Sequence, residues 1–271
     1  MNKRNAKGAS CFDFLCSRYC LLALSIIGFL CWYNWALTEK TGQYVGYKTL
    51  TTKTRLEIYL NKQVDTSWHG QTGFVLDHMI ANPRTMSNYV VDVGAHDGVW
   101  LSNSFPFLQR GYRGLLVEGN PGNFADLQNN LRDYVQSGAA VLVNTMIWIK
   151  RGKYAKMVDD AGWWDGTEAR LVDCTRGERD TGDGGCEEMR TVPDLLEEAG
   201  VPRDFAVLSM DIEMRDVHYD SIIKGVHEGG WKPRYVIVEL NVKWSQKVFE
   251  DLGYISIGRF NYDEVFWLAG E

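Results

Sequence analysis

The sequence predicts an α/β fold in which a doubly wound, mostly parallel seven-stranded sheet ends in an antiparallel hairpin. Short apolar runs alternate with helix-like segments from about residue 70 onward, which is typical of βαβ units. Two of these runs, at residues 89–92 and 115–118, end in an acidic residue that is closely followed by a glycine. Strands that end in this way are typical of nucleoside-binding sites in open α/β sheets.

The N-terminal region predicts a membrane anchor and a stem. Residues 19–37 carry no charged side chain, and a helix of that length would span roughly 28 Å, close to the hydrocarbon thickness of a bilayer. Bulky aromatic residues at the end of this run disfavour a cleaved signal peptide. Residues 1–18 form a short basic tail and residues 38–68 a polar stem. The basic tail predicts an N-inside signal anchor, with residues 69–271 in the lumen of the secretory pathway or outside the cell.

Apolar spacing predicts alternating helices and strands in the domain. The first half contains a helix over residues 74–80, a strand over 89–93, a helix near 101–110, a strand over 114–118, a helix from Pro121 to about residue 131 or 134, and a strand over 140–147. The second half contains a helix over residues 191–198, a strand over 205–210, a helix over 218–228, a strand over 235–238, and hairpin strands over 254–260 and 264–268. Residues 151–190, between the halves, form an irregular insertion.

Charge and cysteine content limit the possible partners and compartments. The net charge of -6 at pH 7 gives no basic surface for nucleic acid, so we expect no nucleic-acid partner. Cys174 and Cys186 are the two cysteines outside the N-terminal region, and they bracket a loop. A disulfide between them and two free thiols are both compatible with the sequence, and a disulfide would fit an oxidising compartment.

The turn after the first strand indicates which nucleoside cofactor binds. A dinucleotide site requires G-x-G-x-x-G, whereas here His96 stands where the middle glycine would be, between Gly94 and Gly98. Asp97 would repel a diphosphate, but it could pair with the ammonium of an amino-acid tail. Glu118 could accept hydrogen bonds from both hydroxyls of a ribose. This chemistry favours S-adenosylmethionine over a nicotinamide dinucleotide.

Four segments of the chain form an ordered set of motifs: VDVGAHDG at residues 91–98, VEGNP at 117–121, LSMDIE at 208–213 and VIVE at 236–239. In this order they resemble the motifs of FkbM-type methyltransferases. The resemblance extends over about residues 70–270. It implies a Rossmann-like, class I methyltransferase that depends on S-adenosylmethionine, and many such enzymes O-methylate sugars or other hydroxyls.

The same resemblance implies the cofactor-binding residues. Those that would surround the methionine part of the cofactor are Asp92, Gly94, Ala95, His96, Asp97 and Gly98. Glu118 would hold the ribose hydroxyls, and Gly119 and Asn120 would border the adenine.

Acidic residues after the fourth and fifth strands predict how the acceptor is activated. Because the carboxyl ends of parallel strands share one edge of a sheet, we expect Asp211, Glu239 and Asn241 to converge. In one mechanism Asp211 or Glu213 acts as a general base whose pKa is raised by acidic neighbours. In the other, Asp211, Glu239 and Asn241 bind a divalent cation such as magnesium. Both mechanisms stay open at this point.

These observations predict a membrane-anchored enzyme that uses S-adenosylmethionine to O-methylate a sugar, a glycan or another hydroxyl acceptor. The alternative is a catalytically inactive anchored module of the same fold that acts in protein interaction or trafficking. Met214 favours the alternative, because it stands where the corresponding family motif has a glycine.

Overall fold

The computed structural model of the chain describes residues 65–159, 169–175, 185–212, 218–239 and 246–270. The predicted tail, the predicted anchor at residues 19–37 and most of the predicted stem lie outside these ranges. Within the ranges described, no helix is both long and apolar enough to cross a membrane. The anchor therefore stays a prediction.

The described residues form strands and helices in alternation. The strands are β1 (Ser87–Val93), β2 (Arg113–Glu118), β3 (Ala140–Asn144), β4 (Tyr154–Asp159), β5 (Ala169–Asp173), β6 (Glu187–Glu188), β7 (Phe205–Met210), β8 (Tyr235–Glu239), β9 (Tyr254–Phe260) and β10 (Asp263–Leu268). The helices are α1 (Gln71–Ala81), α2 (Phe105–Leu108), α3 (Pro121–Asn130), α4 (Arg132–Gln136), α5 (Val192–Glu198), α6 (His218–Glu228) and α7 (Gln246–Asp251).

Seven of the strands form one sheet in the order β3-β2-β1-β7-β8-β10-β9. Strands β3, β2, β1, β7 and β8 pair in parallel, whereas β10 runs antiparallel to both β8 and β9. This arrangement confirms the predicted seven-stranded sheet with a C-terminal hairpin. The strand order reverses between β1 and β7, and the crevice at such a reversal is where ligands bind in open α/β sheets.

Both faces of the sheet are covered by helices. On one face, Leu195 of α5, Ile223 of α6 and Phe249 of α7 pack in one apolar cluster against alternate strand residues. On the other face, Val75 of α1 and Leu127 of α3 belong to a second cluster with the intervening strand residues. The central strand β7 is buried at every position because both of its sides face a helical layer.

Three element boundaries differ from the prediction for local reasons. The helix expected near residues 101–110 is confined to Phe105–Leu108, since Leu101 adopts a left-handed φ of 54°. The long helix after Pro121 is interrupted at Leu131 and continues as α4. Strand β3 ends at Asn144, because the following residues leave the large sheet and Ile147 pairs with Arg190.

The irregular insertion contains a second, three-stranded sheet that the sequence did not predict. Its order is β5-β4-β6, and both outer strands run antiparallel to β4. A disulfide joins Cys174, directly after β5, to Cys186, directly before β6. Of the two alternatives left open by the sequence, the structure has the disulfide, and it links the two outer strands across β4.

The segment ahead of α1 packs on the domain. The Thr66 hydroxyl donates to the carbonyl of Ser102 over 2.9 Å, and Ser67 pairs with Leu101 in a short parallel bridge. Asp65 accepts a hydrogen bond of 2.8 Å from the Gly73 N–H near the start of α1. The predicted stem therefore contacts the domain over at least its last residues.

Candidate functional site

The turn after β1 lies against the end of β7. Gly94 has a φ of 92°, and a Cβ at this position would lie 1.7 Å from the carbonyl oxygen of Asp211. The N–H groups of Gly94 and Ala95 both donate to the Val117 carbonyl, over 2.9 and 3.0 Å. Only glycine fits at position 94, because both the backbone conformation and the close approach exclude a side chain.

Gly98 closes the same turn. Its φ is 75°, and a Cβ would lie 2.3 Å from Cδ1 of Leu127 in α3. Its N–H donates to the Ala95 carbonyl over 2.8 Å. The two predicted glycines therefore hold the turn tightly between the neighbouring strands and α3.

Asp97 is turned into its own loop. Its side chain is buried, and its Oδ1 accepts hydrogen bonds from the N–H groups of Val99 and Trp100 over 2.9 and 2.7 Å. Burial alone would raise its pKa, but hydrogen bonds from His96 and from the two N–H groups outweigh burial and lower the pKa. The carboxylate that the sequence predicted to face the cofactor thus stabilises the turn.

His96 has a left-handed backbone with a φ of 50°, which directs its N–H at Glu118 Oε2 over 2.8 Å. Its ring lies 5.4 Å from the ring of Trp100, and its Nδ1 lies 4.0 Å from Oδ1 of Asp97. The main chain of His96 thereby fixes the carboxylate at the end of β2.

Glu118 is the predicted site residue whose side chain is best oriented to bind a ligand. Its Oε2 accepts from His96 and its Oε1 accepts from the Asn120 N–H over 2.7 Å, so both oxygens are held in place. The side chain is only 8% exposed, and burial raises its pKa against the opposing effect of these hydrogen bonds. Each carboxylate oxygen can accept a second hydrogen bond, which a ribose hydroxyl can supply.

Asn120 caps α3, and Gly119 packs beneath the insertion. The Asn120 side chain accepts from the N–H groups of Gly122 and Asn123 over 2.8 and 3.2 Å. Asn144 was missed by the sequence analysis; at the end of β3, its amide donates to the Glu118 carbonyl over 2.7 Å. A polar residue that ends the third strand was the available signal.

Asp92 lies behind the turn. It is 3% exposed and accepts hydrogen bonds from Ser104 Oγ, over 2.6 Å, and from the Ser209 side chain. Burial raises its pKa from 3.8 to about 6, and the charges of Asp211 and Glu118 add to the effect. Asp92 therefore links β1 to the loop before α2 and to β7. Its side chain is buried behind the turn and is not exposed at the surface of the site.

Asp211, Glu239 and Asp263 form what we call the acidic rim. Asp211 follows β7, Glu239 ends β8, and Asp263 begins β10 opposite Glu239. Asp211 is exposed as a whole residue, yet the protein atoms packed around its carboxyl group raise its pKa against the effect of a hydrogen bond with Glu239. Burial and the charge of Asp211 raise the pKa of Asp263 to about 7.

One residue of the acidic rim, Asp263, and one residue that contacts it were missed by the sequence analysis. Asp263 was assigned to a turn, although the first residue of an antiparallel strand lies at the same edge as the last residues of its parallel neighbours. Gln71, at the start of α1, is buried and donates to Asp263 Oδ2 over 2.7 Å. A buried glutamine gives no distinctive signal in a sequence.

The predicted metal ligands are described only in part. Asp211 and Glu239 lie together, whereas Asn241 and the second candidate base, Glu213, fall outside the described residues. Among the side chains that the structure describes, no group of three or more His, Cys, Asp or Glu residues is arranged to hold a metal ion.

Comparison with solved structures gives weak similarities at low identity. Methyltransferase FkbM from Methylobacillus flagellatus KT is 15% identical, with 69% of this chain covered, 45% of that chain covered, and a TM-score of 0.43. A methyltransferase from Geobacter sulfurreducens is 10% identical, with coverages of 84% and 95% and a TM-score of 0.43. Precorrin-6y C5,15-methyltransferase from Geobacter metallireducens GS-15 is 13% identical, with coverages of 72% and 86% and a TM-score of 0.41. The chain thus spans less than half the length of the Methylobacillus protein.

The family assignment depends on sequence motifs. None of the curated proteins compared with the chain matches it significantly. The family model described as the methyltransferase FkbM domain matches residues 92–255, more than half of the 271 residues. The match begins at Asp92 and includes the turn after β1, Glu118 and the acidic residues after β7 and β8. The chain therefore belongs to the methyltransferase FkbM domain family.

Proposed function

We propose that the protein is an S-adenosylmethionine-dependent methyltransferase that methylates the oxygen of a hydroxyl acceptor such as a sugar or glycan. The observation that carries the proposal is Glu118, a buried carboxylate at the end of β2 whose oxygens are both oriented by main-chain N–H groups. A carboxylate so fixed is suited to the two hydroxyls of a ribose.

The charge of the site fits this cofactor. Asp92 and Asp263 each have a pKa raised first by burial and then by the charge of Asp211, so the Asp211 carboxylate repels the negative charge on each of them. A cationic ligand relieves such repulsion, and S-adenosylmethionine carries both a sulfonium and an ammonium group. A nicotinamide dinucleotide would instead add the negative charges of its diphosphate to this repulsion. The charge of the site therefore favours S-adenosylmethionine over a nicotinamide dinucleotide.

Asp211 is proposed as the general base. S-adenosylmethionine, when bound, would supply the methyl group for transfer to the acceptor oxygen and would leave as S-adenosylhomocysteine. The acceptor hydroxyl gives its proton to the Asp211 carboxylate, whose raised pKa makes it a stronger base than an ordinary aspartate. The Glu239 carboxyl group, which must carry the shared proton, donates a hydrogen bond that holds that carboxylate.

Cofactor binding is tested by titrating the full-length protein with S-adenosylmethionine in a calorimeter. Glu118→Gln presents an amide to two N–H donors and removes a charged acceptor, so we expect a 10- to 100-fold loss of affinity, corresponding to about 1.5–3 kcal/mol. Glu228→Gln, on an exposed side chain at the far end of α6, is the matched control. Unchanged binding by Glu118→Gln would contradict the proposed ribose contact.

Catalysis is tested with labelled cofactor and a panel of glycans, lipids and small phenols. We expect Asp211→Asn to bind the cofactor and to lower kcat by about 100- to 10,000-fold. Full activity of this variant would refute the assignment of the base. The same assay with EDTA tests the alternative in which Asp211, Glu239 and Asn241 bind magnesium, since that mechanism requires loss of activity.

The inactive module remains the second candidate, because Met214 departs from the motif. A protein that binds S-adenosylmethionine but transfers no methyl group to any acceptor would favour it. We also propose the membrane anchor at residues 19–37 and a lumenal or external domain. The disulfide between Cys174 and Cys186 supports an oxidising compartment.

A further inference from the structure

The second sheet meets the large sheet beside Glu118. The main chain of the segment after β3 bonds to the end of the insertion, with Arg190 N–H donating to the Met146 carbonyl and Trp148 N–H to the Arg190 carbonyl, each over 2.8 Å. Met157 on β4 reaches across this junction. Its Cε lies 3.0 Å from the position that a Cβ of Gly119 would occupy.

The face of β4 that turns toward this junction is apolar. Ala155 and Met157 are two residues apart and therefore lie on the same side of the strand. Ala155, Met146 and Met189 are buried in one cluster, and Met157 packs against it while staying partly exposed. Among the three methionines of this group, Met157 is thus the one with surface left for a ligand.

The position of Met157 follows from the geometry of an adenosine. In the proposed function Glu118 holds the ribose hydroxyls, and the base is attached directly to that ribose. A base on the Gly119 side of that ribose lies close to the end of β3, where Asn144 is exposed and donates a hydrogen bond to the Glu118 carbonyl. A thioether is polarisable and makes favourable contacts with the edge or face of an aromatic ring.

We propose that the disulfide-linked second sheet forms the adenine side of the cofactor pocket, and that Met157 is the residue on it that positions the adenine ring. This inference rests on the proposed binding of an adenosyl cofactor at Glu118. The disulfide holds β5 and β6 on either side of β4 and so fixes the strand that carries Met157. A side chain from the insertion, rather than from the large sheet, thereby contributes to cofactor selectivity.

The first test is methyl NMR of the full-length protein labelled with [methyl-¹³C]methionine. Met157→Leu identifies the Met157 resonance by its disappearance. On addition of S-adenosylhomocysteine we expect that resonance to move, upfield if the methyl group lies over the face of the adenine and downfield if it lies at the ring edge, because both positions are within the ring current. The Met86 methyl, directly before β1 at the opposite end of that strand from the turn, should stay in place.

The second test compares affinities for S-adenosylhomocysteine and 5′-methylthioadenosine, which lacks the amino-acid tail. We expect Met157→Ala to weaken both by a similar factor of about two to ten, since the lost contact is to the base. Met157→Leu should retain more of the affinity, and Met86→Ala, another partly buried methionine, should leave it unchanged. A loss confined to S-adenosylhomocysteine would overturn the assignment to the adenine.

The outcomes separate this inference from the proposed function. If the wild-type protein binds no adenosyl ligand, the proposed function fails and the inference fails with it. If it binds, but the Met157 resonance does not move and Met157→Ala binds normally, the inference alone is overturned.

Discussion

Glu118 and Asp97 both follow apolar strands and both were predicted to face the cofactor, yet their environments differ. Glu118 receives main-chain N–H groups from the turn after β1 and from the residues that follow β2, and it keeps acceptor capacity. One carboxylate oxygen of Asp97 accepts hydrogen bonds from two N–H groups of its own loop. The sequence shows where an acid stands relative to a strand, but the direction of its side chain depends on donors supplied by the folded turn.

Asp92 shows the same limit at longer range. Its hydrogen-bond partners are Ser104, in a loop, and Ser209, in a strand that is distant in sequence. The motif around Asp92 therefore could not predict that its side chain is buried. The ionised Asp92 carboxylate destabilises the folded state, because burial raises the pKa of this group from 3.8 to about 6.

The pH dependence of stability tests this burial. Below about pH 4 both folded and unfolded states hold the Asp92 proton, and between about pH 4 and 6 the unfolded state releases it first, so the folded state loses stability as pH rises. The difference between a pKa of 3.8 and one of about 6 corresponds to about 3 kcal/mol at most. We expect Asp92→Asn to gain about 1–3 kcal/mol relative to wild type between pH 4 and pH 7.5 in urea unfolding.

The control for that experiment is Asp133→Asn, on an exposed side chain of α4. It should follow the wild-type pH profile. Parallel profiles for Asp92→Asn and wild type would contradict the raised pKa.

Gly94 and Gly111 form a matched pair that separates close packing from backbone strain. Both have a positive φ, but a Cβ at Gly111 meets nothing within 4 Å, whereas one at Gly94 meets the Asp211 carbonyl. Gly111→Ala should cost only about 1–2 kcal/mol of unfolding free energy, the price of the left-handed conformation. Gly94→Ala should cost more than about 4 kcal/mol or prevent folding. Equal costs in urea unfolding would show that the turn does not touch β7.

At the scale of elements, the large sheet was predictable because its strands are continuous apolar runs with clear ends. The helix expected near residues 101–110 was overestimated, because Ser102 and Ser104 hold the loop by side-chain hydrogen bonds that compete with helix formation. The second sheet was not predicted at all. One of its strands, β6, has only two residues, and its pairing partners are far apart in sequence.

The disulfide should contribute measurably to the stability of the second sheet. Its cysteines are 12 residues apart, and closing a loop of this size is expected to add about 2–3 kcal/mol. The double variant Cys174→Ser, Cys186→Ser should therefore melt at a lower temperature than wild type. Dithiothreitol should lower the wild-type Tm to that of the variant and leave the variant unchanged. If neither the double substitution nor dithiothreitol lowers the Tm, a structural role for the disulfide is contradicted.

At the scale of the whole molecule, the described domain has a site at one edge of a three-layer α/β/α structure, with α1 contributing to that edge. The sequence predicted the family and the layers, because both depend on motifs and on periodicity. It missed Gln71 and Asp263, which meet only when the first helix and the last strand of the domain pack together. Such a contact spans 192 positions in sequence and has no local signature.

The proposed topology has its own test in sealed microsomes that contain the full-length protein. If residues 19–37 anchor the chain with its N-terminus in the cytoplasm, added protease should leave the domain intact until detergent opens the vesicles. The same sample after detergent is the control for protease access. Digestion of the domain before detergent is added would contradict a lumenal position.

The hairpin at the end of the chain sets the charge of the acidic rim by register. Asp263 and Glu264 are adjacent in β10 and point to opposite faces, so that Asp263 meets Gln71 of α1 while Glu264 accepts a hydrogen bond of 2.5 Å from Ser256. A slip of one residue would exchange these faces along the whole strand. Inserting or deleting one residue between β9 and β10 is thus a larger change to the site than most substitutions within it, although the turn itself carries no catalytic group.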